Sequence, residues 1–204
     1  MAEDSTLKFD YELIDHEEYP FAERLAVWIK FHLGGPVMDI GAGTGCYVKA
    51  CRDVGLGAQG IDTEPYPLRP ECVITADLFE FKSESPVVMC IEVAEHIAEE
   101  HNEQIVEVLW NSVTPGGTVI FSAAHPGQGG VGHINCQTRE YWRQLSYNHG
   151  FVSRPYLENN LVNYSVSGYH MGWFPKNCQI WHRPEKPPVE QLMRDLDWLI
   201  RTTK

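Results

Sequence analysis

The run Val37-Met38-Asp39-Ile40-Gly41-Ala42-Gly43-Thr44-Gly45 constrains this chain more than any other segment, because an apolar strand gives way to three alternate glycines. Glycine accepts backbone conformations closed to other residues and lets N–H groups approach a ligand closely. A helix that follows adds the positive end of its dipole. The pattern D-x-G-x-G-x-G therefore predicts a cradle for a nucleoside-bearing ligand at the carboxyl end of a buried strand. It differs from the dinucleotide fingerprint G-x-G-x-x-G, which needs a small residue where this chain has Cys46.

Strand and helix signals alternate along the chain, which is the mark of a parallel sheet covered on both faces. Residues 36–40, 58–62, 72–77, 87–91 and 118–122 read as five strands. The fourth, Val87-Val88-Met89-Cys90-Ile91, is apolar throughout and so buried on both sides. Helices are expected over 47–54 and 98–113, the latter with Ile105, Val106, Leu109, Trp110 and Val113 on its apolar face. Pro115-Gly116-Gly117 predicts a turn into the fifth strand. Residues 7–33 read as an N-terminal helical layer, and residues 123–137 as a glycine-rich loop long enough to serve function. Thr138 caps a further helix, 150–152 and 178–182 start or form later strands, and 189–203 is an amphipathic C-terminal helix carrying Leu192, Leu196, Leu199 and Ile200. With 204 residues, the chain is expected to form one domain, 1–204.

Charge narrows the partners. Sixteen basic against 28 acidic residues leave a formal charge of −12, with no run of Lys or Arg, so the footprint of a nucleic-acid binder is missing. The six cysteines form no C-x-x-C pair and several lie in apolar runs, which suits free thiols in a reducing compartment. The N-terminal Met1-Ala2-Glu3-Asp4-Ser5 lacks an apolar core, and no stretch approaches the ~20 apolar residues that cross a bilayer. The expectation is a soluble, cytoplasmic protein with no membrane partner.

Asp62 ends the second strand 62 − 41 = 21 residues past the first glycine, where a carboxylate accepts hydrogen bonds from a ribose diol. Its competing reading is a turn residue before Pro65. Asp77 closes the third strand ahead of Leu78. Together with Cys90-Ile91-Glu92-Val93-Ala94-Glu95-His96 and Thr114-Pro115-Gly116-Gly117, these segments resemble the class I S-adenosylmethionine (SAM)-dependent methyltransferases over roughly residues 35 to 152. The tract Pro126-Gly127-Gln128-Gly129-Gly130-Val131-Gly132-His133-Ile134-Asn135 followed by Tyr141-Trp142 resembles a bacterial and viral branch of them. The resemblance implies an α/β, Rossmann-like, doubly wound and mostly parallel seven-stranded sheet with helices on both faces. It implies SAM as cofactor, held by Asp39, Gly41, Ala42, Gly43, Gly45, Asp62, Thr63, Asp77, Leu78, Cys90 and Ile91. Asp77 would meet the adenine amino group, and the carbonyls near Cys90 and Ile91 the methionine.

Methyl transfer from a sulfonium is an in-line displacement, so the protein has to align the acceptor and strip water from it. A base or a metal helps when the acceptor's pKa is high. Glu92, Glu95 and His96 stand at i, i+3 and i+4 and would share one face if that segment is helical. Small-RNA 2′-O-methyltransferases and ubiquinone-pathway O-methyltransferases resemble this E-x-x-E-H segment and hold a divalent metal with it, the former adding a loop histidine. The corresponding ligands here would be Glu92, Glu95, His96 and either His133 or His125. Metal-free enzymes share the same stretch, with His96 then serving as a base. His125, Gln128, His133 and Asn135 lie on the glycine-rich loop over the expected acceptor pocket, and His133 is the first choice among them. Tyr11, Tyr19, Tyr141 and Trp142 fit either an aromatic wall or the core.

The leading expectation is therefore a methyltransferase acting on an oxygen or nitrogen nucleophile of a small molecule. Its rivals are metal-assisted RNA 2′-O-methylation, a SAM-binding enzyme with other chemistry such as aminopropyl transfer, and a SAM-fold protein that binds a partner without catalysis.

Overall fold

The structure, a computed structural model, describes residues 10–63, 68–166 and 171–186. The expected helix over 189–203, the start of the 7–33 layer and the side chain of Tyr11 lie outside the described residues.

Seven strands form one sheet in the order β3-β2-β1-β4-β5-β7-β6. β1 (Val37–Ile40), β2 (Ala58–Asp62), β3 (Val73–Thr75), β4 (Ser85–Ile91) and β5 (Val113–Ser122) pair in parallel. β7 (Gln179–His182) is antiparallel to both β5 and β6 (Val152–Ser153), so the sheet is mixed. The reversal follows from the chain path, because β7 enters between β5 and β6 from a connection that an all-parallel crossover does not supply.

Alternation along each central strand divides the core in two. Val87, Met89 and Ile91 of β4 face one helical layer, and Val88 and Cys90 face the other. The first layer is α1 (Tyr11–His32), α2 (Cys46–Asp53), α5 (Pro155–Val166) and α6 (Phe174–Asn177), packed through Phe21, Leu25, Trp28, Ala50, Leu161 and Phe174. The second is α3 (Asn102–Ser112) and α4 (Arg139–Asn148), packed through Ile105, Leu109, Trp142 and Leu145. Both faces of the strands are thus removed from water, as a period-2 apolar pattern under two layers requires.

Three local expectations change. The helix expected from 98 begins only at Asn102, after short 3-10 turns at Ala94–His96 and Glu99–His101. The Pro115-Gly116-Gly117 turn lies inside β5 as an irregularity: the pairing steps from Ser85↔Val113 to Val87↔Thr118, with Gly116 at φ +83°. The helix α5 has no counterpart in the sequence reading. Pro155 opens it at the first helical position, where its missing N–H costs nothing, and Glu158 ties it to Arg139 and to the Ile180 N–H of β7. Thr138 does cap α4, its hydroxyl accepting from the Tyr141 N–H at 3.1 Å. Among the described residues no helix is long and apolar enough to cross a membrane.

Candidate active site

A cleft of about 870 Å³ opens at the carboxyl ends of β1, β2 and β4, where open α/β sheets bind their ligands. The glycines after β1 form its floor. Gly41, Gly43 and Gly45 all have positive φ, and a Cβ on Gly41 would lie 2.5 Å from the Val93 side chain, so only glycine lets these two segments meet. Asp62 is buried beneath this loop, accepting from the Gly43 N–H (2.8 Å) on one oxygen and the Thr63 N–H (2.7 Å) on the other. The turn reading of Asp62 is therefore incomplete, since its carboxylate braces the glycine loop from 19 residues away. Asp77 is exposed on the same cleft, accepting from the Phe79 N–H at 2.8 Å, and Thr63, Leu78 and Ile91 also line it. Cys90 does not: it is fully buried in the core beneath the sheet's other face.

Asp39 lines the cleft at 2% exposure, and its Oδ2 has no hydrogen-bond partner. Burial, reinforced by the charges of Asp62 and Glu18, pushes its pKa up to about 8. Glu18 of α1 is likewise raised to about 7, chiefly by burial.

Glu92, Glu95 and His96 do not share a helix face. Glu92 leaves β4 with φ +52°, the one described non-glycine residue in the left-handed region, and Glu95 and His96 belong to the 3-10 turn beyond it. The turn separates their roles. Glu92 faces the cleft and accepts from Gln128 Nε2 (2.8 Å) and Asn177 Nδ2 (3.0 Å), while Asn177 also donates to Gln128 Oε1 at 2.8 Å. Glu95 is fully buried, neither carboxylate oxygen makes a hydrogen bond, and desolvation followed by the Glu92 charge raises its pKa to about 9.

The glycine-rich loop brings His133 to this group. His133 Nε2 lies 3.9 Å from Glu95 Oε1, and its ring meets that of His96 edge-on at 5.0 Å between centroids. Ligand atoms of Glu95, His96 and His133 all fall within 4.8 Å of one another. His96 Nδ1 is 3.1 Å from the Gly132 carbonyl, which can only accept, so Nδ1 carries the proton and Nε2 keeps its lone pair. Burial, and then the charge of His133, lower the His96 pKa below the usual imidazole value.

The other loop candidates part company. Gln128 lines the cleft. Asn135 is buried away from it, donating to Asn102 Oδ1 (2.6 Å) and the Ala94 carbonyl (3.3 Å), while the N–H groups of Ile134 and Asn135 both bond the Glu95 carbonyl. It anchors the loop. His125 is half-exposed, bonded to the neighbouring Pro126 carbonyl, and outside the cleft. Tyr19 bonds Asp53, Tyr141 accepts from Asn102, and Trp142 is core, so none of these three builds a wall of the cleft. Glu18, Tyr47 and Trp173, which the sequence did not single out, are among the residues that do, and Asn177 reaches the site behind them through its bond to Glu92.

No protein-family model and no curated protein matches the sequence. Solved structures do match by shape. A SAM-dependent methyltransferase from Archaeoglobus fulgidus aligns with TM-score 0.60 and 16% identity, covering 85% of this chain and 100% of that one. The chain carries the fold of SAM-dependent methyltransferases. A Haemonchus contortus phosphoethanolamine N-methyltransferase bound to S-adenosylhomocysteine aligns with TM-score 0.58 and 16% identity, over 87% of this chain and 58% of its own. The [4+2]-cyclase SpnF shares the fold too, with TM-score 0.57, 13% identity and 80% and 81% coverage. Fold alone therefore does not choose the reaction, and the site has to.

Proposed function

We propose that the protein transfers a methyl group from SAM to an oxygen or nitrogen nucleophile of a small-molecule acceptor. The observation that carries this reading is Asp62, buried at the end of β2 and held by the Gly43 N–H within the cleft, a carboxylate in the position from which a ribose diol can be met. Adenine would then lie toward Asp77, Leu78 and Phe79, and the methionine toward Asp39 and Gly41. The sulfonium methyl would face Glu92, His96 and His133, the polar side chains on the remaining wall.

In that arrangement Glu92, held by Gln128 and Asn177, orients the acceptor. The proton leaving the acceptor passes to an imidazole of His96 or His133 as the new bond to the methyl carbon forms and the carbon–sulfur bond breaks. Seven acidic residues and, among the described residues, no lysine or arginine line the cleft. An acceptor bearing phosphate or several carboxylates meets no counter-charge there, which favours a neutral or cationic small molecule and disfavours RNA.

One observation favours a second reading in which a divalent ion assists. Two imidazoles and a buried carboxylate without hydrogen bonds form a donor set that a cation satisfies, so the residues fit a metal held by Glu95, His96 and His133. Glu92, committed to Gln128 and Asn177, stands apart from that trio. Such an ion would supply Lewis-acid lowering of an acceptor hydroxyl's pKa. Calorimetry tests the main proposal: SAM and S-adenosylhomocysteine should bind and NADH should not, and absence of heat with both adenosyl ligands overturns it.

A further inference from the structure

The helix α1 changes character at its middle. Phe21, Ala22, Leu25, Ala26, Trp28 and Ile29 are at most 1% exposed and tie its second half to the core, whereas none of the described side chains from 10 to 20 is buried. Pro20 stands at the junction, inside the helix, with no N–H for the carbonyl four residues back and a ring that crowds that carbonyl. Helices bend at such points. The half before it nevertheless walls the cleft, through Asp10, Leu13, Ile14, Glu17 and Glu18.

What holds this half down comes from the connection after β2. Arg69 grips Asp15 with both terminal nitrogens, Nη1 on Oδ1 and Nη2 on Oδ2 at 2.8 Å, and each side chain is only 18% exposed. Bidentate, charge-assisted pairs of this kind are the strong ones among side-chain hydrogen bonds. The same guanidinium lies 5.2 Å over the Tyr19 ring, and its Nη1 is 3.5 Å from the Thr44 carbonyl of the glycine loop. One side chain thus fastens the outer half of α1 to the floor of the cleft. Two further bonds lie close to the proline: Glu18 pairs with the Tyr47 hydroxyl, and Tyr19 donates to Asp53 at 2.7 Å.

We propose that residues 10–19 form a lid over the cleft, turning at Pro20 and latched by the Arg69–Asp15 pair, so that the latch sets how fast a bound cofactor is released. The inference rests on the reading of the cleft as a SAM site. A ligand that touches the glycine loop and the lid together gains both contacts only when the lid is down, so it draws the balance toward the latched state. Breaking the latch leaves the floor of the cleft in place and eases opening. Removing the proline hinders it.

Hydrogen exchange resolved by residue and stopped-flow release of S-adenosylhomocysteine test the lid. Arg69→Gln and Asp15→Asn should each speed exchange of the amides of residues 14–19 and raise the release rate at least about tenfold, while residues 21–29 exchange as in the wild type. Saturating S-adenosylhomocysteine should slow exchange over 14–19 in the wild type. Pro20→Ala, which returns the missing N–H, should slow both exchange and release. Faster exchange in both halves of α1 marks a merely structural ion pair and overturns the lid. So do unchanged exchange over 14–19 or unchanged release in the latch variants, and so does faster release in Pro20→Ala. Wild-type protein that binds no S-adenosylhomocysteine overturns the cofactor reading instead, and the ligand-free exchange pattern still decides whether residues 10–19 are latched by Arg69.

Discussion

The imidazole of His133 occupies the space that a side chain at position 130 would need: a Cβ on Gly130 would lie 2.2 Å from both Cε1 and Nε2 of that ring. The glycine therefore fixes where the ring can be, and the ring in turn stands 3.9 Å from Glu95. Gly130→Ala should displace His133 and lower turnover at least about tenfold with SAM affinity nearly unchanged. Gly129→Ala is the control, because no atom lies within 4 Å of a Cβ there. Steady-state kinetics beside calorimetry reads both.

Asp62→Ala removes the brace beneath the glycine loop together with the proposed acceptor for the ribose. Each charged hydrogen bond contributes about 1.5–3 kcal/mol, so SAM affinity should fall at least about tenfold. Titration calorimetry measures it. A variant that binds SAM as tightly as the wild type would move the ribose elsewhere.

Asp39 makes stability depend on pH. Its folded pKa of about 8 stands above the ordinary 3.8, so between those values the folded chain holds a proton that the unfolded chain has released. Stability contributed there is complete at low pH and is lost as pH rises through that window, with a slope approaching ~1.4 kcal/mol per pH unit. Glu18, also raised, adds to the fall up to about 7. Melting temperature measured from pH 5.5 to 8.5 should decline in the wild type and decline less in Asp39→Asn.

Asn177 is a positioning residue for Glu92. It donates to Glu92 and to Gln128, closing a three-membered ring across β4, the glycine-rich loop and α6. Asn177→Ala should raise the KM for acceptor and lower kcat several-fold while the SAM affinity holds. A loss confined to SAM binding would place Glu92 with the cofactor.

Chelation separates the two uses of the histidines. With an imidazole as proton acceptor, enzyme treated with EDTA keeps its turnover. Activity that vanishes and returns only with added Mn²⁺, Fe²⁺ or Zn²⁺ assigns Glu95, His96 and His133 to an ion instead.

The residues at the floor of the cleft left a signal in the sequence because the glycine loop and its brace are local features. Glycines in a fixed rhythm and an acid at the end of the next strand brought Gly43 and Asp62 to notice, whereas the bond between them is a finding of the structure that the spacing did not predict. Glu92 to His96 was read with the right residues and the wrong conformation, since i, i+3, i+4 spacing says nothing of the φ +52° that turns Glu92 away from the residues after it. Asn135 had the composition of a ligand-binding residue and became an anchor because Asn102, 33 residues earlier, supplies its partner. Glu18, Tyr47 and Asn177 left no periodic or motif signal at all. Glu18 and Tyr47 reach the cleft, and Asn177 reaches Glu92 on its wall, only through packing of α1, α2 and α6 on one face of the sheet, a relation of tertiary structure that spacing does not encode.

The acidity of the cleft also bears on how a catalytic cycle ends. On the proposed reading, SAM would arrive with a sulfonium and an ammonium against a single carboxylate, and leave as a thioether with no net charge. Walls carrying seven acidic side chains, of which Asp39 and Glu18 hold their protons toward neutral pH, would thus attract the reactant more than the spent cofactor. The proposed transfer would in this way drive exchange of one for the other, and added salt should narrow the preference.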